Sequence, residues 1–355
     1  MRTVFLVGLM VALAVLLGTN TNHARAASVA KKTSTKPASK PHPYVRVFYY
    51  QEGKAAKRAF LSNPKSIDVF APQSYSLDAD GKLSGAVGDD LLVFARKHKI
   101  KVMPLVTNKR FVRSIAHALL DDPPKQDRAI GALIAEARDR HYWGWQFDFE
   151  QMDASYRDTY SAFIKKAGDE MHTNGLGVSV AVVAQISQNP DDYPKDLWKR
   201  VIGVYDYAAL AASSDFISVM SYDDPESKGP IARYPWVKRV IEHSLLSVPK
   251  EKLSLGIPLY MWRWDTGREK LVGIGGYKNI KTVLATRKVT YGYSALEQAP
   301  FIRYSFQKKN YVLWYENAKS VAKKLELIAA YQLHGFSAWA LGLEVPDIHR
   351  VVKKP

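Results

Sequence analysis

The sequence predicts an α/β protein, a single TIM-type (β/α)8 barrel, and three observations carry that prediction. Short apolar runs rich in Val, Ile, Tyr and Phe alternate with longer stretches of helical period, the pattern of strand-helix units around a parallel sheet. Eight such runs can be counted, at 45–50, 67–71, 101–107, 145–149, 177–182, 216–221, 253–258 and 335–340. The 312 residues from Tyr44 onward also match one large barrel with insertions better than two ordinary domains.

Taken in order, the chain opens on Met1-Arg2, an apolar run at 5–17 and the small-x-small triplet Ala24-Arg25-Ala26, the form of a secretory signal peptide over residues 1–26. The run is too short to cross a bilayer comfortably, and no later segment reads as transmembrane. Residues 27–43 are chiefly Lys, Ser, Thr, Ala and Pro with no aromatic side chain, so they cannot bury enough apolar area to offset ordering and read as a disordered basic linker. The catalytic-type barrel is assigned to 44–355. Helical period is found at 91–98, 126–140, 155–172, 197–212, 236–246 and 318–333, with Asn174-Gly175 and His334-Gly335 as end signals in which glycine would supply the left-handed cap. The alternation breaks at 265–315, where Gly267, Gly273, Gly275, Gly276 and Gly292 punctuate aromatic and β-branched pieces. A small strand-rich insertion is expected there, between the seventh strand and the last long helix.

Composition excludes several chemistries. There is no cysteine, so neither disulfides nor thiolate metal sites can contribute, and the nine histidines are scattered without a ligand-like pair. No phosphate loop or nucleophile elbow is convincing, because the glycines at 273–276 lead into no helix of the right kind. The formal charge of +17 suits polyanions. For an exported chain these are anionic cell-wall polymers met through a basic surface rather than nucleic acid. The expected state is a monomer without metal or cofactor, secreted or periplasmic and associated with the wall.

The informative segment is Trp143-Gly144-Trp145-Gln146-Phe147-Asp148-Phe149-Glu150. Side chains on a strand alternate faces, so Gln146, Asp148 and Glu150 share the face that points into a barrel, while Trp145, Phe147 and Phe149 pack under the helices. Glu150 falls at the C-terminal end of the strand, where barrel enzymes keep their catalytic groups. Two carboxylates so close on a partly buried face cannot both ionise freely, and one should keep its proton toward neutral pH, as a general acid must. Alternation likewise gives Ser218, Met220 and Tyr222 a common face. Tyr75, Trp262 and Trp339 fall at or beyond C-terminal strand ends, where rings can stack on sugars.

These residues resemble glycoside hydrolase family 18, whose signature on the fourth barrel strand is D-G-x-D-x-D-x-E, and within it the branch of bacterial spore-cortex and cell-wall glucosaminidases. The likeness returns in Pro72-Gln73-Ser74-Tyr75, Met220-Ser221-Tyr222-Asp223, Gly256-Ile257-Pro258-Leu259-Tyr260, Trp314-Tyr315-Glu316-Asn317 and Trp339. It implies hydrolysis of a β-linked polymer containing N-acetylglucosamine, peptidoglycan ahead of chitin, by a substrate-assisted retaining route. Glu150 would be the acid and base, Asp148 would hold the acetamido N–H, and Tyr222 would donate to the acetamido oxygen. Trp339 would floor the sugar, with Gln146, Met220, Asp223, Tyr75 and Trp262 also on the substrate. Two positions depart from the signature: Trp143 stands at its first aspartate and Gln146 at its second. Gln146 can still bond Asp148 but carries no charge, so Asp148 is expected to be an ordinary carboxylate through the working range. The same departures leave open a carbohydrate-binding barrel that does not cleave.

Overall fold

The computed structural model describes residues 44–353; the expected leader and linker, 1–26 and 27–43, lie outside the described residues. Eight parallel strand positions close into a barrel, the first paired with both the second and the last. In order they are Val45–Tyr50, Val69–Leu77, Lys101–Val102 continued by Leu105–Asn108, Gly144–Asp148, Gly177–Val183, Phe216–Met220, Leu253–Pro258 and Gly335–Trp339. Each coincides with an expected run. The third is split because Pro104 has no N–H to give the ladder.

Alternation sorts the faces as expected. Val47, Tyr49, Val69, Ala71, Met103, Leu105 and Phe216 form an interior cluster, while Phe48, Phe70, Val106, Trp145, Phe147 and Phe149 belong to the larger core beneath the helices. Helices Asp89–Lys97, Pro123–Arg140, Arg157–Thr173, Tyr234–Ser244 and Ala318–Tyr331 cover the barrel near their expected positions, and a further helix, Lys54–Ser62, had no reading in the sequence. The stretch at 197–212 is a correction. A π-helical turn, Trp198–Ile202, is followed by a separate helix, Tyr207–Ala212, whose Asp206 carboxylate accepts the Ala209 N–H at 3.0 Å. The break falls at Gly203, where an added Cβ would lie 2.7 Å from the Trp198 indole nitrogen.

Of the two expected glycine caps, Gly175 has a left-handed backbone, with φ +72°. At the other, Gln332 takes the left-handed position with φ 55° and Gly335 instead opens the last strand, where a Cβ would come within 1.9 Å of the Val45 carbonyl. The insertion is also revised. Its five-stranded antiparallel sheet begins at Met261, ends at Trp314 and includes a helix, Tyr277–Thr286. Met261, Ile280, Val283, Ile302, Tyr304 and Leu313 give it a core of its own. It rises directly from the C-terminal end of the seventh strand, so it stands at the mouth of the barrel.

Candidate active site

Gln146, Asp148 and Glu150 project inward from the fourth strand, at rising height toward the C-terminal mouth. The ladder to the third strand runs through Thr107 opposite Asp148. One residue further, the Asn108 side chain replaces a backbone partner: its Oδ1 accepts the Glu150 N–H at 3.0 Å and its Nδ2 donates to the Glu150 carbonyl at 3.1 Å. This two-point clamp extends the strand by one residue and fixes the backbone that carries the Glu150 side chain. Tyr205 donates to the preceding carbonyl, Phe149, at 2.7 Å.

Electrostatics at this point disagree with one expectation. Asp148 is 3% exposed, and burial pushes its carboxyl up to about 7, against the lowering effect of a hydrogen bond from Gln73. It is therefore not an ordinary carboxylate at neutral pH. Burial also holds Glu150 well above the usual range, reinforced by the nearby charges of Asp148 and Asp223. The neutral neighbour at 146 did remove one like charge, but desolvation outweighs that gain. Nor does Gln146 serve Asp148: its Nε2 donates to Ser179 at 2.7 Å and Ser218 at 2.9 Å. Ser218 and Ser254 each bond Ser337 at 2.7 Å, so four strands and Gln146 are joined in one polar layer just below the carboxylates.

The group that holds Asp148 comes from the second strand. Gln51 Nε2 donates to Gln73 Oε1 at 2.9 Å, which occupies the Gln73 carbonyl and leaves its NH2 for the Asp148 carboxyl. Neither glutamine was singled out in the sequence. Inward alternation from Val47 and Tyr49 reaches Gln51, and from Val69 and Ala71 it reaches Gln73, so the signal was present.

Other strands complete the mouth. Tyr222 is almost buried and senses the charges of Asp148, Asp223 and Glu150, which brings it into the same group. Its ring fits because residue 256 is glycine; a Cβ there would lie 2.9 Å from the Tyr222 ring and 2.5 Å from the Val219 carbonyl. Asp223 accepts from the Tyr260 hydroxyl and is pushed up to about 6 by burial. Met220, half-buried, ends the sixth strand, and Trp339, also half-buried, ends the eighth with its ring 5.2 Å from Tyr49.

Two expected rings are not where sugar contact would need them. Tyr75 is 3% exposed on the helix-facing side, its hydroxyl donating to Glu136 at 2.6 Å and sharing a 2.8 Å bond with Tyr142. The cause is a bulge between Gln73 and Tyr75, which reverses the alternation. Trp262 is 7% exposed within the insertion sheet, paired with Trp314 and edge-on to Trp264, so it offers no open face for stacking. Trp143 lies at the opposite end of the barrel from Glu150, its ring 4.0 Å from the Lys101 ammonium. Seven residues of strand separate the two, on the order of 23 Å, so Trp143 cannot touch the mouth. Among the described residues no group of three or more His, Asp or Glu is placed to hold a metal ion, and no helix is long and apolar enough to cross a membrane.

A parallel barrel whose C-terminal mouth gathers three carboxyls pushed above their usual range fits a glycosidase. The family model described as glycosyl hydrolases family 18 matches residues 59–344, and the chain belongs to that family. It is 26% identical over 297 residues to an uncharacterized glycosylase, YvbX, of Bacillus subtilis, covering 81% of this chain and 84% of that one. A cortical fragment-lytic enzyme of the same organism is 27% identical over 79% of this chain and 68% of its own. Among solved structures, a chitinase from Chromobacterium violaceum aligns with a TM-score of 0.78 at 27% identity, over 87% of this chain and 98% of that one. The Bacillus cereus spore cortex-lytic enzyme SleL shares the fold, with a TM-score of 0.79 at 21% identity over 89% of this chain and 75% of its own.

Proposed function

We propose that the protein is a secreted hydrolase that cuts β-linked, N-acetylglucosamine-containing glycan, peptidoglycan ahead of chitin, by a substrate-assisted retaining mechanism. The observation that carries this reading is the setting of Glu150: a carboxyl at the barrel mouth, pushed well above the usual carboxylate range by burial and by the charges of Asp148 and Asp223. Glu150 protonates the leaving oxygen. The substrate's 2-acetamido carbonyl oxygen attacks the anomeric carbon, the glycosidic C–O bond breaks, and an oxazolinium ion forms. Asp148 accepts the acetamido N–H and its negative charge stabilises the cation. The Tyr222 hydroxyl donates to the acetamido oxygen, a preorganised contact that orients the attacking atom. Glu150, now ionised, takes a proton from water as that water opens the oxazolinium, restoring the acid. Trp339 closes the site under the sugar.

The names of the similar proteins support a wall or cortex polymer, since two of them are described as lytic for cortex. The test uses protein lacking residues 1–26, incubated with purified peptidoglycan and with chitin oligosaccharides, with new reducing ends as the readout. Glu150→Gln is expected to abolish release from whichever polymer the parent cuts. Equal release by parent and variant would refute the assigned acid, and binding without release by the parent would favour a barrel that holds glycan but does not cleave it.

A further inference from the structure

Charge in the folded part of this chain is concentrated. Residues 261–314 hold ten Lys and Arg against three Asp and Glu, whereas the rest of 44–355 holds 35 against 31. Six of the ten meet at one end of the insertion sheet. Arg268 lies in the turn after Met261–Asp265 and Lys270 opens the strand that follows, while Lys308 lies in the turn after Ala299–Phe306 and Lys309 opens the strand after it. The two turns lie side by side, with Thr266 N–H donating to the Asn310 carbonyl at 2.9 Å. Arg287 and Lys288 lead into the strand whose Val289 pairs with Tyr304, and the Arg287 guanidinium sits 3.9 Å from the centre of the Phe306 ring.

The acids at this end are already engaged: Asp265 holds Arg268 at 2.8 Å and Glu269 holds Lys228. Lys270, Lys288, Lys308 and Lys309 are exposed, and none has a carboxylate within 4.0 Å among the described residues. The strand entering this sheet starts three residues after the seventh barrel strand, and the strand leaving it leads back to helix Ala318–Tyr331, so the cationic end is the one that stands farthest out from the mouth. Like charges held together without counter-charges repel one another, and their field reaches about 8 Å at physiological salt. A polyanion passing over the mouth would relieve that repulsion.

We propose that this end of the insertion is a docking surface for an N-acetylhexosamine polymer bearing carboxylate groups, and that it selects acidic glycan over neutral chitin. The inference rests on the glycan-hydrolase reading and names which class of glycan the site serves. Lys270→Gln/Lys288→Gln/Lys308→Gln/Lys309→Gln is introduced into the full chain carrying Glu150→Gln, so that binding is measured without turnover. The probes are peptidoglycan freed of phosphate polymers and colloidal chitin. At low salt the quadruple change should weaken peptidoglycan binding about fourfold or more, the weak end of what four exposed charge pairs contribute. It should leave chitin binding unchanged, and 0.5 M salt should erase the difference. Unchanged peptidoglycan binding, an equal loss on chitin, or no binding of the parent to this phosphate-free peptidoglycan would each overturn the proposal. Turnover of neutral chitin oligosaccharides by the quadruple variant with Glu150 intact separates the two readings: cleavage equal to the parent's keeps the hydrolase while the binding arm decides the docking surface.

Discussion

Replacing Asp148 by Asn removes a titrating group while keeping its shape, and the consequence for stability can be worked from its surroundings. In the unfolded chain the carboxyl titrates near 3.9; in the fold, burial moves it to about 7. Below about pH 4 both states hold the proton and the group contributes no difference. As pH rises, the unfolded chain releases the proton first, so folding is increasingly opposed until the folded carboxyl also ionises; the penalty is about 1.36 kcal/mol per unit, or about 4 kcal/mol across three units. Asn carries no such penalty and can still accept from Gln73. With an unfolding entropy of about 2.1 cal/mol/K per residue over about 310 residues, 4 kcal/mol corresponds to about 6 °C. Asp148→Asn should therefore melt close to the parent at pH 4 and about 6 °C above it at pH 8, while losing most activity. Thermal melts followed by circular dichroism across pH 4–8 check this. A difference that stays flat with pH, or that favours the parent at pH 8, would refute the assignment of a buried, high-titrating carboxyl.

Two further changes probe the groups around that carboxyl. Gln73→Leu deletes the donor that opposes burial, so Asp148 should hold its proton about one to two pH units higher, read from its labelled 13C carboxyl signal and as an upward move of the acidic limb of kcat/KM; an unmoved titration would show that Gln73 does not serve Asp148. Asn108→Ala removes both backbone bonds to Glu150 and should lower kcat about 10- to 100-fold with little change in KM, at a stability cost of about 1–3 kcal/mol. A matched fall in stability with unchanged kcat would mean that the clamp is only structural.

Much of the barrel was legible because its strands obey one rule. A period of two places Gln146, Asp148 and Glu150 inside and three aromatics outside, and nothing in the chain interrupts it there. The errors fall where a local event breaks the period. The bulge at Ser74 carries Tyr75 to the outer face, although the same count from Val69 correctly puts Gln73 inside. The stretch at 197–212 reads as one helix because its apolar spacing persists, yet Gly203 under the Trp198 indole and the cap at Asp206 end it in the middle. The bulge is set by pairing with the third strand, which a window along the chain does not contain, whereas the helix break arises from near neighbours that the apolar spacing alone does not register.

The site was legible in its residue types but not in their connections. Glu150, Asp148, Tyr222 and Asp223 do converge, from two strands, as their motifs suggested. What sequence spacing suggested wrongly is which neighbour steadies Asp148, because Gln146 is two residues away on the same strand and Gln73 is on another. A strand repeat of about 6.6 Å per two residues puts Gln146 a full layer below, within reach of serines on its own level instead. The substitution of a signature acid by glutamine thus makes sense as part of that layer: an amide can donate to Ser179 and Ser218 at once, which a carboxylate cannot. With Gln146 engaged there, the burden of orienting Asp148 passes to the Gln51–Gln73 pair, and the acid strength of the mouth is set by burial and by three carboxyls rather than by a fourth buried anion.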